Sequence, residues 1–127
     1  MGADIRSGLD LAQAVRRGLP VRAAEHMLES GRLTAAEMDQ VVLPRRTLAN
    51  RRKAGTLTAE QSDRLIRAAR VLAEAEDTFG SPEKASLWLR RASQTLAGER
   101  PLDLLDTEEG AREVETLLGR ISHGIAA

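Results

Sequence analysis

The stretch TAAEMDQVVLPRRTLANRRKAGTLTAEQ, residues 34–61, decides the fold. Thr34-Ala-Ala-Glu37 is a capping box, in which the Thr hydroxyl accepts from the amide three residues on and the Glu carboxylate reaches back to the cap amide. It opens a helix through Met38, Val41 and Val42. That helix must stop near Leu43, because Pro44 has no amide to donate and forces its predecessor toward extended geometry. The fixed φ of Pro44 suits the first turn of a new helix, which runs to Gly55. Thr58-Ala-Glu-Gln61 caps a third helix, along which Leu65, Ala69, Leu72, Ala75 and Phe79 recur at helical spacing. Two short helices joined by a tight turn and followed by a long one is helix-turn-helix order.

In that motif the second helix enters the DNA major groove. Here it carries Arg45, Arg46, Arg51, Arg52 and Lys53, and no acid occurs between Gln40 and Ala59. Leu48 points inward beside Leu43 and Leu57, which leaves Arg45, Arg46, Thr47, Asn50 and Arg51 on outer faces. Arg can bridge guanine O6 and N7 and Asn can pair with adenine, so these residue types can read sequence as well as charge. Lys53 and the remaining basic residues are expected on phosphates, and Arg64, Arg67 and Arg70 on the next helix are expected to extend the positive face. The turn Val42-Leu43-Pro44 lacks the Gly that many such turns contain.

Working outward, Gly18 and Gly31 close two short amphipathic segments around Leu11, Val15, Val21, Ala24 and Leu28. No strand alternation competes, and a chain with one Trp, one Phe and no Tyr must build its core from Leu, Val, Ile and Ala, which favours an all-α fold. With no Cys there is no disulfide framework and no thiolate nucleophile or ligand. No run approaches a membrane span, so a cytoplasmic protein is expected. Enzyme chemistry finds little footing. His26 and His123 are the only histidines and lie far apart. Glu108 and Glu109 sit where they stabilise a helix dipole. There is no phosphate loop, nucleophile motif or metal-ligand spacing, so neither a cofactor nor a metal is expected.

The second half differs in character. Ser81-Pro82-Glu83 starts a helix expected to run through Leu87, Trp88, Ala92 and Leu96 to Gly98. Beyond it, residues 99, 103, 106, 108, 109, 113 and 115 are acidic against Arg100 and Arg112, a net of minus five, whereas residues 40–59 carry plus five. The balance of nineteen basic and nineteen acidic residues hides two opposed poles, as expected of a chain with one face for nucleic acid and another for a different partner. The expected division is residues 1–77, a helix-turn-helix domain with its N-terminal helices, and residues 78–127, a second binding and dimerisation domain. Trp88 and Leu89 are expected to anchor the core or a homodimer contact, and paired DNA half-sites favour a dimer.

The segments "RRTLANRRKAGTLTAEQSDRLIRAARVL", "WLRRASQTLAG" and "RPLDLLDTEEGAREVETLLGRISHGIAA" resemble the Xre, MbcA or ParS antitoxins, partners of RES-domain toxins, from about Leu33 to the C-terminus. The most specific part is the tail, with its Trp-Leu pair, a Gly ahead of Pro-Leu-Asp-Leu-Leu, a Thr-x-x-Gly, paired Leu and a late Gly. The resemblance implies an Xre-like helix-turn-helix bundle that represses its own operon, followed by a small helical toxin-binding domain. It also implies that the tail covers the active site of an NAD-consuming toxin related to ADP-ribosyltransferases. On that reading Leu104, Glu108, Arg120, Ile121, His123, Gly124 and Ile125 contact the toxin. The competing expectation is a free-standing dimeric helix-turn-helix repressor without a toxin.

Overall fold

Capping and turn residues set the helix ends in the computed structural model, which describes residues 7–124. Among the described residues seven α-helices follow one another: α1 (Gly8–Arg17), α2 (Val21–Glu29), α3 (Ala35–Val41), α4 (Arg45–Ala54), α5 (Ala59–Phe79), α6 (Pro82–Leu89) and α7 (Glu108–Ser122). Two 3-10 segments, Gln94–Leu96 and Pro101–Asp106, lie between α6 and α7. The described residues contain no strand, only two isolated bridges. None of their helices is long and apolar enough to cross a membrane.

The chain divides into two compact units, one ending at Ile66 and the other beginning at Arg67. The division falls inside α5 and not after residue 77, because turn punctuation marks where a helix ends, whereas packing decides which neighbours each part of it has.

In the first unit both halves of the Thr34–Glu37 capping box form, at 2.9 and 3.2 Å. The turn after α3 closes without glycine. The amides of Val42 and Leu43 both donate to the Met38 carbonyl at 3.0 Å, and both side chains are buried. Two apolar side chains anchored in the core thus hold the geometry that a glycine's freedom would otherwise permit. Leu48, on the inner face of α4, and Leu57, just beyond it, are each only 1 % exposed.

The first thirty residues have a definite task here. The link between α1 and α2 runs antiparallel to the segment after α4, with Leu57 N donating to Leu19 O at 2.8 Å and Val21 N to Gly55 O at 3.1 Å. The wholly buried Ser62 accepts from Leu19 N at 2.8 Å. Gly18 is required twice over at this point. Its φ is +92°, and a Cβ there would lie 2.2 Å from the Leu57 carbonyl oxygen.

In the second unit Ala68, Val71, Leu72 and Ala75 of α5 are buried, as are Ala85 and Leu89 of α6, Leu102 and Leu105 of the second 3-10 segment, and Val114 and Leu118 of α7. One expectation is corrected. The helix after Ser81 ends at Leu89, with Arg90 as its C-cap, and does not run to Gly98. From Ser93 to Glu99 the chain folds into a closed loop, with Ser93 N donating to Glu99 O at 3.0 Å and Gly98 N to Ser93 O at 2.8 Å. Ala97 and Gly98 both have positive φ. Ala92 is accordingly exposed and Leu96 only half-buried. Of the two residues expected at the core or a homodimer contact, Leu89 takes the core position and Trp88 is half-buried beside Phe79, with ring centroids 5.4 Å apart.

The Thr-x-x-Gly of the tail has a physical explanation. Thr107 caps α7 by accepting from Gly110 N at 3.0 Å, and the absence of a side chain at Gly110 lets the helix meet the preceding segment. A Cβ at Gly110 would lie 2.1 Å from the Leu104 carbonyl oxygen. Alanine in a helix interior is favoured over glycine by about 1 kcal/mol, but Gly110 lies in the first turn of α7, and overpacking costs about 1–3 kcal/mol or more where, as here, the clash is with backbone. Gly110→Ala is therefore expected to lower the denaturation midpoint of the second unit, and chemical unfolding measures it.

Candidate nucleic-acid interface and partner-binding unit

Pro44 and the left-handed Gly55 bracket α4. Arg46, Asn50 and Lys53 are exposed, Thr47 is half-buried and Arg45 is exposed. The basic charge is less free than the sequence suggested. Asp39, one residue outside the acid-free run, accepts from Arg45 N at 2.9 Å and pairs with its guanidinium at 3.5 Å. Glu25 of α2 accepts from Arg52 Nε at 2.7 Å. Arg51 donates through Nε to the Thr56 carbonyl at 2.9 Å and is half-buried. Asp39 also lines a shallow depression at the start of α4 with Pro44, Arg45, Arg46 and Thr47. Asp39 and Glu25 could not be found by scanning for acids within the helix, because they reach it from α3 and α2.

The expected extension of the positive face along α5 is corrected. Arg64 pairs with Glu60 one turn away. Arg67 is buried, donating through Nε to Leu105 O and through a terminal nitrogen to Asp106 O, both at 3.1 Å. Arg70 grips Glu115 of α7 with two bonds of 2.9 and 3.2 Å. A spacing of three placed these side chains on one face but could not say what that face packs against.

The acidic segment is likewise partly neutralised. Glu108, in the first turn of α7, faces Arg70 and Arg112 at 3.7 Å and Arg67 at 4.0 Å. Asp103 holds Arg100 at 2.8 Å. Leu104 is half-buried, as is Ile121. Arg120, His123 and Gly124 are exposed at the end of α7, where His123 Nδ1 lies 2.7 Å from Gly119 O. Ile125, the last expected contact, lies outside the described residues. The described residues hold no cluster of side chains suited to a metal ion.

One titrating pair joins α5 to α7. Burial, and then the hydrogen bond shared with Glu115, push the Glu74 carboxyl up to about 7. Burial also pushes Glu115 upward, but its hydrogen bonds to Glu74 and Arg70 outweigh that and hold it below the usual carboxylate range. Between the ordinary value of 4.5 and about 7 the folded chain keeps a proton on Glu74 that the unfolded chain releases. This group's contribution to stability is therefore present below that window and lost as pH rises through it. Glu74→Gln keeps a hydrogen-bonding side chain that does not titrate. It is expected to flatten this slope and to raise the melting temperature at about pH 8 more than at about pH 5. Identical pH profiles for the two proteins would contradict the assignment.

A helix-turn-helix domain joined to a separate helical unit with a partly neutralised acidic face is the class this architecture defines. Residues 10–70 match the Antitoxin Xre-like helix-turn-helix domain, and residues 74–124 match the Antitoxin Xre/MbcA/ParS C-terminal toxin-binding domain. The first match starts well before Leu33, in keeping with the part α1 and α2 play in the first unit. An Antitoxin Xre of Pseudomonas putida is 34% identical over 121 residues, which cover 95% of this chain and 76% of that one. An Antitoxin Xre of Photorhabdus laumondii is 44% identical over 54 residues, 42% of this chain and 36% of that protein. A Prs ADP-ribosylating antitoxin of a Sphingobium species is 45% identical over 51 residues, 40% of this chain and 32% of that protein. The chain belongs to the Xre/MbcA/ParS antitoxin family of toxin–antitoxin systems, with a helix-turn-helix DNA-binding domain followed by a toxin-binding domain.

Proposed function

We propose that the chain neutralises a RES-type, NAD-consuming toxin by covering its active site, and that it represses its own operon as a homodimer bound to operator DNA. The observation that carries the first part is the end of α7, where Arg120 in the last turn and His123 and Gly124 just beyond it are exposed on a firmly packed helix. The residues that follow in the sequence, Ile125, Ala126 and Ala127, are uncharged and apolar, and such a stretch can enter a nucleotide pocket where bulky charged side chains could not, with Arg120 of the last turn of α7 meeting acidic groups there. The name of the Sphingobium relative couples an antitoxin of this type to ADP-ribosylation, a chemistry whose usual donor is NAD. Leu104, Glu108, Ile121 and Ile125 complete the proposed contact.

The repressor part rests on α4, whose outer face keeps Arg46, Asn50 and Lys53 at the surface. The proposed dimer would pair two such helices on half-sites about one DNA turn apart. Leu87, 64 % exposed beside the half-buried Trp88, offers apolar surface for it. Deleting Ser122 to Ala127 is expected to leave DNA binding and toxin association in place while restoring NAD turnover by the toxin. Full inhibition by the truncated chain would move the blockade to the acidic face of α7.

A further inference from the structure

The basic side chains of α4 are not equivalent. Arg45 is tied to Asp39, Arg52 to Glu25 and Arg51 to the Thr56 carbonyl. The side chains of Arg46, Asn50 and Lys53 have no partner among the described residues, and all three are exposed. Their spacing of four and then three residues puts them in one line along the helix, on the side opposite Leu48, which is 1 % exposed. The tied arginines flank that line. Using one of them to read a base would require breaking an existing pairing and would bring the carboxylate of Asp39 or Glu25 close to phosphate.

We infer that Arg46 and Asn50 are the base-reading side chains, taking a guanine and an adenine within about two base pairs of each other in each half-site, with Lys53 on a backbone phosphate. This rests on the reading of α4 as the DNA-entering helix and goes beyond it by naming what the helix recognises. The spacing follows from dimensions: four residues advance a helix by about 6 Å, roughly two base-pair steps of a duplex. Arg forms two bonds to guanine O6 and N7, and Asn two to adenine N6 and N7, so neither role passes to another base without losing a bond. Arg51 is a positioning residue, fixing the C-terminal end of α4 through Thr56, and Asp39 caps the start of α4 by accepting from the Arg45 amide, a bond that Arg45→Ala retains.

Selection of binding sites from a pool of random DNA duplexes tests the assignment with the full chain and its Arg46→Ala, Arg46→Lys, Asn50→Ala and Arg45→Ala variants, each checked for helical circular dichroism. The unsubstituted chain should enrich a half-site containing the guanine and the adenine. Arg46→Ala should lose preference at the guanine alone and Asn50→Ala at the adenine alone, each by roughly tenfold to hundredfold against the next-best base, while Arg46→Lys, which can still donate to guanine, should keep part of that preference. Arg45→Ala should keep every base preference. Unchanged preferences in Arg46→Ala and Asn50→Ala, a position relaxed by Arg45→Ala, or an enriched site lacking the pair would overturn the assignment. If the unsubstituted chain enriches no sequence, the DNA-binding reading itself falls.

Discussion

Arg67→Ala is expected to destabilise the second unit by about 3 kcal/mol and to abolish partner binding at physiological temperature. The guanidinium is almost wholly enclosed and donates to the carbonyls of Leu105 and Asp106, at the end of the 3-10 segment that leads into α7. Removing it leaves a cavity and deprives both acceptors of their donor. Leu105 O is the buried acceptor, and leaving it without a donor costs about 1–3 kcal/mol, far more than an exposed ion pair contributes, whereas water can reach the carbonyl of the exposed Asp106. Glu108, 4.0 Å away and 45 % exposed, adds little by comparison. Arg67→Lys keeps the charge but cannot span two carbonyls, so it should fall between the two. Thermal melting of the full chain measures the series, and a shift of less than a few degrees for Arg67→Ala would show that the clamp does not hold the unit together.

A fragment of residues 78–127 is expected to be unfolded, whereas one beginning at residue 67 should keep the helices of the second unit. Trp88, Leu96 and Leu104 are only half-buried, and the enclosed positions include Ala68, Val71, Leu72 and Ala75 from the second half of α5. Without that stretch the fragment also loses Arg67 and the Arg70–Glu115 pair. Fifty residues stripped of a packing helix fall below the size at which a core sustains itself. Circular dichroism of the two fragments decides it, and equal helicity would contradict the boundary within α5.

Local signals in the sequence were read correctly wherever a single residue type has a single structural consequence. The capping boxes at Thr34 and Thr58 form, Pro44 starts α4, and Gly55 ends it. The all-helical architecture follows from these stops and from a core without aromatics. Long-range pairings were not legible. Asp39 and Glu25 meet the basic helix from neighbouring elements, and Arg67 and Arg70 serve the second unit and not a DNA face. The helix expected to continue past Trp88 ends at Leu89 with Arg90 as its cap, and the Ser93–Glu99 loop that follows, turned by Ala97 and Gly98, is a feature that apolar spacing does not encode. The spacing of the outer α4 residues was visible from the start, but the selection among them depended on which side chains already had partners.

The central claim, that this chain neutralises a RES-type toxin, is tested most directly by measuring NAD consumption by a purified RES-domain protein encoded beside it while the intact chain is titrated in. The account predicts that turnover falls to background once the two form a stoichiometric complex. Undiminished NAD consumption in a complex that demonstrably forms, or no complex at all, would contradict it.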